Sequence, residues 1–185
     1  MERLHDGRGS VVCLIGEAGL GKSSLLNQMH AEWDKIAGDD APWIESRGVS
    51  YDTSRPYGLF SQRMLQVVGV SDSDSVATAR AKVAEAPTIF PPEVQSKVVN
   101  AISLLLAFEQ EVDGQKVRDE LHDACNSLWR AVATHSPTVI VMDDLHWADP
   151  ASADLMIDLF PLLEDVPLLM LCSFCPGAAV PRLAG

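Results

Sequence analysis

Apolar positions along the chain fall into short unbroken runs and helical stripes that alternate with one another. Ser10–Ile15 (SVVCLI) is an apolar, β-branched run and predicts a buried strand. Beyond the glycine-rich GEAGLGKSS, Leu25, Met29, Trp33 and Ile36 recur at helical spacing, with Gly38 as the expected stop. Residues 42–49 (PWIESRGV) predict a second strand, followed by the turn-rich YDTSRPYG. Helical patterning returns from Leu59 to about Val68, and the polar Ser71–Ser75 leads into a helix reaching about Glu85. Pro87, Pro91 and Pro92 break the chain; Pro92 and Glu93 suit the first turn of a helix that continues through Val98, Ile102, Leu105 and Leu106. After EQEVDGQ, Val117, Leu121, Ala124, Leu128 and Val132 draw a helical stripe that Pro137 ends. The strand Thr138–Met142 follows. Asp149-Pro150 then supplies an N-cap and a first-turn proline for a helix reaching about Leu163, and Pro167–Phe174 reads as a last strand. Strands alternating with helices predict an α/β domain with a mostly parallel sheet. There is no internal repeat. The tail Pro176–Gly185 has no companion element, so the chain is expected to stop before its fold closes.

Composition narrows the class. The 185 residues are 47 % hydrophobic and 22 % charged, enough for a globular core. Fourteen basic against 26 acidic residues give a net charge of −12, which argues against direct nucleic-acid binding and against an anionic membrane surface. Apolar runs such as Val166–Cys172 are too short to span a bilayer, and no basic-then-apolar leader follows Met1, so the cytoplasm is the expected compartment. Of the four cysteines, Cys13 and Cys125 sit in apolar patterns and read as core residues. Cys172 and Cys175 form a lone CxxC without the two further ligands a zinc site needs, and read as ordinary reduced thiols.

The candidate chemistry starts directly after the first strand. Gly16-Glu17-Ala18-Gly19-Leu20-Gly21-Lys22-Ser23 fits the phosphate-loop pattern G-x-x-x-x-G-K-[ST] in full, between an apolar strand and an amphipathic helix. The glycines let backbone N–H groups approach phosphate oxygens, and the helix adds the positive end of its dipole. Lys22 is then the point charge for the β- and γ-phosphates, and the Ser23 hydroxyl is placed for Mg²⁺. Ser24 lies beside the phosphates at the helix start, and the Glu17 side chain is expected to face solvent.

A Mg-nucleotide needs a carboxylate from elsewhere in the fold. Val139–Asp143 presents four apolar residues and then aspartate, the way a Walker B strand delivers one. Asp143 is the expected Mg²⁺-side carboxylate, acting through water, because Mg²⁺ sheds its hydration reluctantly. Asp144 is then the candidate base that polarises the attacking water. A nearby dication also eases the repulsion between adjacent carboxylates. Asp149 has a complete structural explanation as a helix cap, Trp147 reads as packing, and His146 as a hydrogen-bonded loop residue. His5, His30, His122 and His135 carry no assignment.

Together, "GEAGLGKSSLL", "RPYG" and "DDLHWADPAS" resemble the STAND branch of AAA-related P-loop ATPases, in particular the modules of MalT-like LuxR-type transcriptional regulators and those attached to some class III adenylate cyclases. The similarity runs from the first strand through PLLMLCSFCPG and is weakest over about 71–115. It implies an ASCE/AAA-type three-layer α/β core over 1–185, with Walker A at 16–23, Walker B at 139–144 and a following strand at 167–174. The lid and winged-helix part of such proteins are absent, as if the chain were truncated at its C-terminus. It also implies binding of ATP and ADP, slow Mg-dependent hydrolysis, control of output modules on the same polypeptide, and self-association in the ATP-bound state. A regulatory module with little turnover is the alternative, and a P-loop kinase is disfavoured because Arg55, Arg63, Arg80 and Arg118 are scattered. Where the family commonly has Thr/Ser-aromatic-Arg-Pro after the strand, this chain has Ser173-Phe174-Cys175-Pro176. Losing that arginine would remove charge stabilisation of the transition state, for which Arg182 could substitute only if the tail folds back.

Overall fold

The computed structural model describes residues 2–37, 41–48, 56–71, 73–85, 90–106 and 114–176. The expectations placed on Gly38, Arg55, Pro87, Arg182 and the tail beyond Pro176 lie outside these. The chain divides into two compact units, one made of residues 1–59 and 136–185 and the other of 60–135.

The first unit is built on a four-stranded parallel sheet. It contains α1 (Glu2–His5), β1 (Ser10–Ile15), α2 (Lys22–Ala37) and β2 (Trp43–Arg47), then β3 (Thr138–Asp143), α7 (Pro150–Asp158) and β4 (Leu168–Phe174). The strand order is β1-β4-β3-β2, so the last strand in sequence inserts between the strand leading into the glycine-rich loop and the strand ending in Asp143. Central parallel strands are covered on both faces and therefore read as continuous apolar runs, as TVIVM and LLMLC do.

The expectation of a buried strand at Ser10–Ile15 is corrected. Its strand exists, but among the described residues β1 pairs with β4 only, and Val11, Val12 and Ile15 are 37 %, 39 % and 61 % exposed. An apolar run predicts the strand but does not by itself fix which of its residues the described neighbours cover. Cys13, expected in the core, is exposed for the same reason.

Helix α2 follows the expected boundaries, but its apolar face is rotated. Leu26 and Trp33 are buried, with Met29 and Ala37 packed beside them, against Val139, Val141, Leu169 and Leu171 of the sheet. Leu25 and Ile36 are 44 % and 56 % exposed. Periodicity sets the spacing of such a stripe but not its phase when apolar residues adjoin, as Leu25-Leu26 and Ile36-Ala37 do. His30 stacks on Trp43 with ring centroids 4.5 Å apart.

The helix expected to run from Asp149 to Leu163 is also corrected: α7 ends at Asp158, and a separate 3-10 turn spans Phe160–Glu164. Pro161 has no N–H to continue the α ladder and breaks it.

The second unit is helical. α3 (Gly58–Val67) leads into it, followed by α4 (Val76–Glu85), α5 (Pro92–Leu106) and α6 (Gly114–His135). Helix α5 packs against both α4 and α6. Val117, Leu121, Ala124, Leu128 and Val132 are all buried along α6, as their spacing predicts. Cys125 is a core residue as expected; it accepts from Trp129 Nε1 at 3.1 Å, and burial pushes its thiol up to about 12.

Candidate nucleotide site

The loop between β1 and α2 carries the phosphate-binding pattern. Its first residue continues the strand ladder, since Gly16 N–H donates to Phe174 O at 3.3 Å. Gly19 and Gly21 then adopt φ of 84° and 83°, left-handed values that side-chain-bearing residues avoid. Glu17, Ala18, Gly19, Leu20 and Gly21 are exposed, Leu20 at 71 %. The Glu17 side chain thus stands toward solvent, as its place in the pattern predicts. Helix α2 begins at Lys22, which directs its free N–H groups toward the loop. Ser24 lies exposed on the first turn of that helix.

Lys22 reaches back across the loop. Its Nζ donates to Gly16 O at 2.8 Å and Glu17 O at 3.2 Å, and lies 3.8 Å from Cys175 Sγ. The position held by cysteine therefore faces the loop lysine directly.

The two motifs meet at Ser23. Its Oγ donates to Asp143 Oδ2 at 3.2 Å, joining residues 120 apart in sequence. The other Asp143 oxygen accepts from Ser173 Oγ and from Asp144 N–H. Asp143 lies at the end of β3, its side chain 13 % exposed. A hydroxyl and a carboxylate, both hard oxygen donors and already in contact, fit a Mg²⁺ ion that keeps most of its waters.

Asp144 takes a different environment. Its backbone is left-handed (φ 55°, ψ 43°), and its N–H donates to Ser173 Oγ at 3.1 Å. Its Oδ2 accepts from Arg47 Nε and Nη2 at 3.0 and 2.9 Å. Arg47 Nε also lies 3.8 Å from Asp143 Oδ2. The hydrogen bond to Asp144, then the charges of Asp144 and Asp143, hold the Arg47 guanidinium above its ordinary pKa.

Arg47 and Ser173 are the residues that pattern reading missed. Arg47 is the register partner of Asp143 across the β2–β3 ladder, and Ser173 follows Cys172, the partner of Met142, in β4. Only strand pairing brings them to the site. Gly48 closes the arrangement: its N–H donates to Asp143 O at 2.9 Å, and a Cβ there would stand 2.5 Å from Asp144 O and 3.0 Å from Trp147 Cβ. A side chain at residue 48 would push the aspartate turn away.

Beyond the aspartates, Leu145–Trp147 forms a 3-10 turn in which Trp147 is 43 % exposed. The expected hydrogen bond of His146 is missing on one side, because its buried Nδ1 has no partner among the described residues. Asp149 caps α7 by accepting from Ser152 N–H at 2.9 Å. Its carboxylate also accepts from Ser152 Oγ at 2.6 Å and from the backbone N–H groups of Tyr57 at 2.9 Å and Gly58 at 3.1 Å. Tyr57-Gly58 and the HWADP segment are thus tied together through one side chain.

A family model described as "AAA ATPase domain" matches residues 1–171, which include the loop and both aspartates. The chain belongs to this family. The parallel sheet with its loop and helices is the P-loop NTPase fold of an AAA ATPase domain. The domain is similar to an uncharacterized protein of Rhizobium meliloti (strain 1021), with 28 % identity over 179 residues. That match covers 94 % of this chain and 17 % of the relative, so the chain spans a small part of the length of the protein it resembles. No solved structure matches this chain. Among the described residues no helix is long and apolar enough to cross a membrane.

Proposed function

We propose that this AAA ATPase domain binds Mg-ATP, hydrolyses it slowly, and acts as a switch for output modules on the same polypeptide. The observation that carries the reading is the Ser23–Asp143 contact at 3.2 Å, which puts a P-loop hydroxyl and a strand-end carboxylate at one point. In this reading Gly16–Ser24 cradle the phosphates, with Lys22 exchanging the carbonyls of Gly16 and Glu17 for phosphate oxygens. Ser23 and, through water, Asp143 would hold Mg²⁺, which would supply charge neutralisation at the phosphates. Asp144 orients and polarises the attacking water. Regulation of the STAND type, a cytoplasmic setting and association of ATP-bound copies complete the proposal, and these rest on the sequence resemblance.

A second reading, a nucleotide-binding module with little turnover, is favoured by two specific contacts. Arg47 occupies Asp144 Oδ2 with two donors, and Cys175 rather than a cation faces Lys22. Both lower the capacity for hydrolysis and leave the phosphate loop intact.

Two measurements test the proposal. Fluorescent ATP should bind the native chain with Mg²⁺ and bind Lys22→Ala at least about tenfold more weakly, since a lost charge-assisted contact is worth about 1.5–3 kcal/mol. Equal affinities would sink the P-loop assignment. Phosphate release should fall to background in Asp144→Asn. Identical background release from both chains would leave the binding module standing and remove the enzyme.

A further inference from the structure

Cys13 and Cys172 are direct register partners across the parallel β1–β4 ladder. Partners in adjacent strands project to the same face, and strands stand about 4.7–4.9 Å apart. That spacing lies inside the Cα separation of about 4.4–6.8 Å that a disulfide spans. Burial first, and then the neighbouring Cys13, push the Cys172 thiol up to about 12. One member of the pair is open to solvent, and the other is buried beneath it.

The CxxC spacing suggests a different partner for Cys172, and the fold rejects it. Cys172 lies within β4 and Cys175 just beyond its end. Residues three apart on an extended strand are about 10 Å apart. A disulfide cannot bridge more than about 7 Å without moving the backbone. Cys175 lies instead by Lys22 Nζ, at 3.8 Å. Cys125 is enclosed in the other unit, bonded to Trp129.

We propose that Cys13 and Cys172 form a dithiol that a hydroperoxide oxidises to a disulfide stapling β1 to β4. The Cys13 thiolate attacks a peroxide oxygen; an S–O bond forms, the O–O bond breaks, and the peroxide is reduced to water or an alcohol. The Cys172 sulfur then attacks the Cys13 sulfenic sulfur. An S–S bond forms, the S–O bond breaks, and the departing hydroxide takes up the Cys172 proton as water. The net change is a two-electron oxidation that a dithiol reductant reverses. The second step is slow, because the buried thiol gives up its proton reluctantly.

The staple joins the strand that enters the phosphate loop to the strand whose next residue, Ser173, supports Asp143 and Asp144. It does not depend on nucleotide binding, and its test stands apart from that of the proposed function.

The full chain, treated with hydrogen peroxide and then alkylated, is digested under non-reducing conditions and mapped by mass spectrometry. A Cys13–Cys172 linked peptide is expected, reversed by dithiothreitol, retained in Cys175→Ser and lost in Cys13→Ser. Cys13→Ser replaces a thiol by a hydroxyl of nearly the same size at an exposed position, and a native far-ultraviolet circular dichroism spectrum checks that the variant keeps the fold. A Cys172–Cys175 peptide, a Cys13–Cys13 link between two chains, or Cys13 carried to sulfinic acid with Cys172 still alkylatable after unfolding would each overturn the proposal.

Discussion

Asp144 is held twice, by a backbone in the left-handed region and by Arg47 across the neighbouring strand. A non-glycine residue sits there at a cost of about 1–2 kcal/mol, so the surrounding bonds, including the N–H to Ser173 Oγ, must over-determine it. A carboxylate that accepts two guanidinium N–H groups on one oxygen has fewer lone pairs free to orient the attacking water. Arg47→Ala is therefore expected to raise phosphate release about threefold to tenfold, a modest fraction of the 10²–10⁴ that a positioned base contributes. ATP affinity should stay unchanged. Single-turnover phosphate release decides it; a drop as deep as that of Asp144→Asn would make Arg47 part of the catalytic apparatus instead. The loop and both aspartates were legible in the sequence because each motif is local: adjacent residues impose the glycine turns and the strand end. Arg47 and Ser173 were not legible, because they reach Asp143 only through ladders between strands distant along the chain.

Among the elements, the start of α3 and the start of α7 share one anchor. Asp149 accepts four hydrogen bonds while only 4 % exposed, two from Ser152 and two from the N–H groups of Tyr57 and Gly58. Losing a helix cap costs about 0.5–2 kcal/mol. Leaving buried donors without acceptors adds about 1–3 kcal/mol. Asp149→Ala is thus expected to cost about 2–4 kcal/mol in urea denaturation, and a loss below about 1 kcal/mol would reduce Asp149 to a simple cap. The cap itself was legible in Asp149-Pro150, but its second pair of donors lies some ninety residues upstream, in RPYG. Helix stripes and boundaries followed spacing closely along α6. They failed along α2, where adjacent apolar residues left the phase open, and at Pro161, whose missing N–H ends the α ladder.

For the whole molecule, alternating patterns were enough to specify an α/β class with parallel strands, but not the order β1-β4-β3-β2. Apolar runs such as SVVCLI and LLMLC look alike, and which becomes central depends on pairing rather than on composition. The four tryptophans are divided between the two units: Trp33, Trp43 and Trp147 in the first, and Trp129 in the second. Trp33 and Trp129 are buried, Trp43 is half-buried, and Trp147 stands out of the turn that begins at Asp144. That contrast gives the protein a built-in optical label. Acrylamide should quench the long-wavelength edge of its emission through Trp147, Mg-ATP should weaken that quenching, and Trp147→Phe should abolish the response. A response that survives the substitution would assign the signal to another ring. The residue that most plainly marks the motif to the eye would then also report, in light, when the site beside it fills.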